Sequence, residues 1–197
     1  MNYKKNTRLI TNEINKCLLN VKLKESEKLV SEILEAHRVF ITAVGRVSLS
    51  LQCFGKRLSH LGINVDLVGS LTEKPATNKD LLLVASGSGE SLLPLNIAKK
   101  AKSFNTKIGL ITSAKSSSLK KISDFSVTLK APTKPLKHGK IKNQSLSDSA
   151  SKSSSVQPMS SLFDQTLHIY GDIISLIIFE RKKINKDEIW KHHANLE

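Results

Sequence analysis

Residues 81–102 read LLLVASGSGESLLPLNIAKKAK. The run Leu81 to Ala85 is apolar without alternation, the pattern of a strand covered on both faces. From Ser91 onward Leu92, Leu95, Ile97, Ala98 and Ala101 recur at helical spacing with lysines between them. The six residues joining these patterns, Ser86 to Ser91, are small, hydroxylic or glycine apart from Glu90. A buried strand, a small-residue turn and a helix start together aim backbone N–H groups at an anion. Gly87 and Gly89 allow a tight turn and close backbone approach, and Ser86, Ser88 and Ser91 offer further donors. Phosphate is the natural guest. The turn lacks the Lys-Ser/Thr ending of a nucleotide P-loop and the spacing of a dinucleotide fingerprint. A second reading stands beside the first at this level: Ser88 or Ser91 only caps the helix.

The flanking sequence repeats the strand–helix alternation. Residues 7–36 carry Leu9, Ile10, Ile14, Leu18, Leu29, Val30 and Ile33 near a helical period, which predicts an N-terminal helical segment over 1–36. Strands are predicted at 38–44, 63–68, 80–85, 107–112 and 124–129, with helices at 48–61, from Ser91 to about 102 and at 117–122. Gly62 is a stop signal for the helix before it. Strands alternating with helices give an α/β fold: a five-stranded parallel sheet between helices, in a three-layer sandwich of flavodoxin type. Residues 131–155, rich in proline, serine and lysine, lose all apolar periodicity and read as a flexible loop within one domain spanning 1–197. Pro158 then suits the first turn of a long helix over 157–183 that is apolar almost all round, and therefore buried in the core or against another subunit. Asp164, His168 and Asp172 fall along one stripe of it and need polar partners there. Capping or hydrogen bonding outweighs metal ligation for this trio, and no metal is assigned. Residues 186–197 read as a short helix and a C-terminal tail.

The 197 residues suffice for one domain with a substantial core. The formal charge of +14 would attract any polyanion. The lysines are dispersed, however, aromatic residues make up 5% of the chain, and no nucleic-acid-binding module is recognisable, so no nucleic-acid partner is assigned. No stretch reads as a membrane span, since Ile173 to Phe179 is short and flanked by Asp172 and Glu180. The N-terminus lacks the continuous apolar region of a secretory signal. Cys17 and Cys53, in helical segments without metal spacing, read as buried reduced thiols of a cytoplasmic protein.

Taken together, Gly45-Arg46, RLSHLG at 57–62, SGSGES at 86–91, QPMSSLFDQTL at 157–167 and the closing HHANLE resemble the sugar isomerase (SIS) domain family over essentially the whole chain. The QPM and HHANLE segments are closest to its hexuloisomerase branch. That resemblance implies a homotetramer with active sites between subunits and a cofactor-free interconversion of D-arabino-hex-3-ulose 6-phosphate and D-fructose 6-phosphate. It places the reaction in the ribulose monophosphate pathway, with a formaldehyde-fixing 3-hexulose-6-phosphate synthase as pathway partner. It further implies that Ser86, Gly87, Ser88, Gly89 and Ser91 hold the 6-phosphate, with Gly45, Arg46, Ser48 and Arg57 as further binding positions. Asp164 is the candidate base, and His60 and a C-terminal histidine, His193 or His192, are candidate partners in proton transfer.

Three segments depart from the family's pattern. Its usual Gly-Arg-Ser-Gly is Gly45-Arg46-Val47-Ser48 here, its Val-Gly-Glu is Val68-Gly69-Ser70, and its Met-Gly-Ser-Leu-Phe-Glu is Met159-Ser160-Ser161-Leu162-Phe163-Asp164. These changes remove a hydroxyl near the phosphate, remove a carboxylate and shorten the base by one methylene. They motivate an alternative function: a sugar-phosphate-binding protein of the same fold with weakened catalysis.

Overall fold

The computed structural model describes residues 2–132, 155–193 and 195, with residues 186–188 by backbone alone. Two N-terminal helices, α1 (Tyr3–Leu19) and α2 (Leu23–Glu35), replace the single helical segment expected from periodicity. The break falls at Asn20, whose backbone N–H and side-chain amide both turn back onto carbonyls of the last turn of α1. The alternation then runs β1 (Val39–Thr42), α3 (Gly45–His60), β2 (Val65–Leu67), β3 (Leu81–Ala85), α4 (Leu92–Ser103), β4 (Lys107–Thr112), α5 (Ser118–Ile122) and β5 (Phe125–Thr128). A short 3-10 turn, Pro158–Ser160, leads into α6 (Ser161–Lys182), and α7 (Lys186–Lys191) comes last. Except at its ends, the loop expected over 131–155 lies outside the described residues, as do Ala194, Leu196 and Glu197 of the tail.

All five strands are parallel, in the order β2-β1-β3-β4-β5. Alternate side chains sort into two cores, as the period of a strand requires. Leu81, Leu83 and Ala85 join Val39 and Ile41 under α1, α2, α3 and α6, while Leu82, Val84 and Phe40 pack beneath α4 and α5. Successive crossovers leave β1 and β3 toward opposite faces, so the sheet has its topological switch point between these two strands. Ligands of open parallel sheets bind at the carboxyl ends of the strands there. The two segments that leave those ends are Gly45-Arg46 and the SGSGES turn.

Helix α6 differs from its sequence reading in two ways. It packs on α1, α2 and α3 and buries Leu162, Phe163, Leu167, Ile174 and Ile178, yet Ile169, Ile173 and Leu176 remain exposed along one stripe. Together with the 3-10 turn it is also long and apolar enough to cross a membrane, contrary to the expectation from the sequence. Its burial within the domain identifies it as the central helix of the larger core. Cys17 is buried as expected, but Cys53 is exposed, because it faces outward from α3.

Candidate functional site

The SGSGES turn is built around Ser86. Its side chain is 2% exposed, and Oγ accepts from Gly89 N–H at 3.0 Å and lies 2.9 Å from Ser91 Oγ. Ser88 Oγ accepts from the Glu90 N–H at 3.2 Å. Ser91 occupies the N-cap position of α4, yet no side chain caps that helix. The capping alternative therefore fails for both serines. Gly89 has a φ of +68°, and a Cβ there would lie 2.1 Å from Ser117 Oγ, so only glycine fits.

A second loop, absent from the sequence reading, clamps the first. Thr112 Oγ1 and Ser113 N–H both donate to the Gly87 carbonyl, at 3.2 and 3.1 Å. Leu119 N–H donates to the Gly89 carbonyl at 3.1 Å, and Ser118 N–H donates to Glu90 Oε1 at 2.8 Å. Ser117 Oγ accepts from Lys120 N–H. The backbone N–H of Ser118, then its side chain, holds the Glu90 carboxyl below its ordinary range against a small opposing effect of burial, and Lys121 adds to the depression. The carboxylate is thus engaged at the start of α5. The sequence signal for this loop was the serine-rich TSAKSSS after β4, which repeats the strand–turn–helix pattern seen after β3.

Gly45, at φ +60°, turns the chain straight from β1 into α3, which starts ahead of the expected Ser48. Arg46 Nε donates to Asp164 Oδ2 at 2.8 Å. The Arg46 side chain is 69% exposed and that of Asp164 8%. This pair puts a cation and a pinned carboxylate on helices that start at one end of the domain. Ser48 lies on α3, where its Oγ accepts from Gln52 Nε2 at 3.0 Å.

The remaining predicted site residues lie elsewhere in the chain. His60 ends α3, so the helical rise puts it about 21 Å from Arg46. It stacks on His193 at 5.0 Å between ring centroids, and His193 also meets Trp190. Arg57 Nε lies 3.5 Å from Asp172 Oδ1, both side chains being largely exposed. Arg57, Asp172 and Trp190 border an open groove of about 450 Å³ that Leu61, Leu176 and Phe179 also line. A single chain therefore unites SGSGES, Gly45, Arg46 and Asp164 near the carboxyl ends of the strands, and leaves Arg57, His60 and His193 at the far end of α3. His168 and Asp172 are exposed while Asp164 is buried, so the trio does not share one environment. Among the described residues no cluster of three or more His, Cys, Asp or Glu side chains could hold a metal.

Comparison with known proteins identifies relatives of the chain. The domain description "SIS domain" matches residues 32–162. A Bacillus subtilis protein named 3-hexulose-6-phosphate isomerase is 32% identical, with 95% of each chain covered. A Methanocaldococcus jannaschii protein of the same name is 31% identical over 86% of this chain and 83% of its own. A crystal structure from Methanococcus jannaschii, reported as inferring that same isomerase function, superposes with a TM-score of 0.80 at 28% identity, covering 98% of this chain and 99% of the other. The chain belongs to the SIS domain family.

Proposed function

We propose that the protein is a phosphosugar isomerase that interconverts D-arabino-hex-3-ulose 6-phosphate and D-fructose 6-phosphate. The observation that carries this reading is the meeting of an anion cradle and an Arg46–Asp164 pair at the switch point of the sheet. The names of the relatives supply the substrate class.

In this reading the 6-phosphate binds SGSGES, and the sugar chain runs toward Asp164. The Asp164 carboxylate removes the proton on C2 of the 3-ketose. The electrons of that C–H bond form the C2=C3 double bond, and negative charge develops on O3. Arg46, held beside the carboxylate, stabilises that charge electrostatically. Asp164 returns its proton to C3 while the O2 proton passes to O3, which leaves the carbonyl at C2 and a hydroxyl at C3. The exchange is internal, so it requires no redox partner. A homotetramer, in which the exposed stripe Ile169, Ile173 and Leu176 is covered by another subunit, would bring His60, Arg57 or His193 of one chain to the cradle of another. A cytoplasmic setting, where Cys17 and Cys53 stay reduced, suits the reaction.

The distance of those histidines from the cradle within one chain favours a second reading, in which the protein binds a sugar phosphate without turning it over. A coupled assay of fructose 6-phosphate formation separates the two. Steady turnover at substoichiometric enzyme is expected. Tight phosphosugar binding with no product would overturn the isomerase reading and leave the binding protein.

A further inference from the structure

The QPM segment at 157–159 has a structural partner far away in the sequence. Glu13, on α1, receives three hydrogen bonds from the chain as it returns to the domain. Its Oε2 accepts from Ser155 Oγ and from Gln157 Nε2, each at 2.8 Å, and its Oε1 accepts from Val156 N–H at 3.3 Å. Gln157 N–H in turn donates to Ser155 Oγ at 3.0 Å. One helical turn further along α1, Cys17 Sγ donates to the Lys130 carbonyl at 3.4 Å. A single turn of α1 therefore grips the chain on both sides of the serine- and lysine-rich connection.

Immediately after Gln157 the chain makes a turn that holds poorly by itself. Met159 and Ser160 have φ values of 57° and 62°, two successive side-chain-bearing residues in the left-handed region. Such backbone persists only where the surrounding structure over-determines it. Helix α6 starts at the next residue, its N-terminus carries no side-chain cap, and Asp164 lies in its first turn. Freeing the upstream anchor lets the turn relax toward negative φ, and the uncapped first turn of α6 moves with it.

We infer that Glu13 and Gln157 are positioning residues for Asp164: the carboxylate on α1 fixes where α6 begins, and thereby where the base of the proposed reaction stands. This inference rests on the isomerase reading for its kinetic consequence, but not for its structural one. The phosphate cradle, on β3 and α4, has no part in the latch.

The test uses the full chain with Glu13→Ala, Gln157→Ala, both together, and Glu13→Ala combined with Ser160→Gly. Misplacement of a reacting group by about 1 Å lowers rate by as much as about a hundredfold. Each single variant is expected to lower kcat by about tenfold, with KM for phosphosugar within about twofold of wild type. Because the two residues form one contact, the double variant should lose less than about twofold beyond the worse single. Ser160→Gly removes the left-handed strain and should restore most of the kcat lost in Glu13→Ala. Hydrogen exchange of the amides at 161–165 should be at least about tenfold faster in Glu13→Ala and in Gln157→Ala. Unchanged kcat, equal changes in kcat and KM, multiplicative losses in the double variant, or no rescue would each overturn the inference. Gln157→Ala carries the test if Glu13→Ala does not fold. Should wild type show no turnover, exchange decides alone: faster exchange in the variants upholds the latch while the isomerase reading falls, and unchanged exchange overturns the latch.

Discussion

Arg46 and Asp164, 118 residues apart in the chain, meet through a 2.8 Å Nε–Oδ2 hydrogen bond. The pair ties the start of α3 to the first turn of α6 and leaves most of the Arg46 side chain open to solvent. Replacing Asp164 by Asn preserves an acceptor for Arg46 and so preserves the fold. If Asp164 is the base, kcat should fall by about 10² to 10⁴ with little change in KM. Wild-type kcat per folded molecule, with a lowered melting temperature, would reduce Asp164 to a packing role.

The three serines of the cradle should separate in their effects. Ser86 Oγ is committed within the turn, so Ser86→Ala removes one of the two acceptors of the buried Gly89 N–H, leaving the Ser86 carbonyl at 3.1 Å, and should lower stability by about 0.5–1.5 kcal/mol. Ser88 and Ser91 lie nearer the surface. Each hydrogen bond to a charged phosphate is worth about 1.5–3 kcal/mol, so Ser88→Ala and Ser91→Ala should each raise KM about tenfold or more at near-native melting temperature. Steady-state kinetics beside thermal denaturation checks both halves.

Ser160→Gly should stabilise the protein. A left-handed conformation costs an ordinary residue about 1–2 kcal/mol. Glycine gives back about 0.5–1 kcal/mol through its greater freedom in the unfolded chain. The difference corresponds to a rise in Tm of about 2 °C for a chain of this size. A fall in Tm would mean that Ser160 makes contacts worth more than its strain.

Glu90 should carry a pH signature. Its folded-state pKa lies below the ordinary value, first because the Ser118 N–H binds the carboxylate. A depressed carboxylate contributes stability that is full above the unfolded-state value of about 4.3 and is lost as pH falls through the folded-state value. The Tm difference between wild type and Glu90→Gln should therefore be constant at neutral pH and close below about pH 4. A difference that instead widened on acidification would place the charge of Glu90 somewhere other than the start of α5.

Much of the architecture was legible because it arises from local chemistry. The unbroken apolar run of Leu81 to Ala85 demanded cover on both faces, and the five strands and their helices emerged from the same kind of pattern. The tight turn after β3 was legible for the same reason, since Gly87, Gly89 and the serines lie within six residues of one another. Direction in space was not legible in the sequence. The end of α3 that bears His60 and the end that bears Arg46 belong to one helix, so a sequence reading could assign both to one site. Periodicity likewise placed Asp164, His168 and Asp172 on one stripe, but the neighbours that bury the first and leave the others exposed come from packing.

Hydrophobic period and backbone freedom act within a few residues, so the layers, the order of elements and the tight SGSGES turn were already written in the chain. The partners of charged and polar side chains were not, and packing in three dimensions assigned them. Arg46 with Asp164, Glu90 with the start of α5 and Glu13 with Gln157 are each joined by the folding of distant segments. A carboxylate in water is equally well solvated beside any of many donors, and its one native partner is chosen when packing brings that donor within about 3 Å and removes the water.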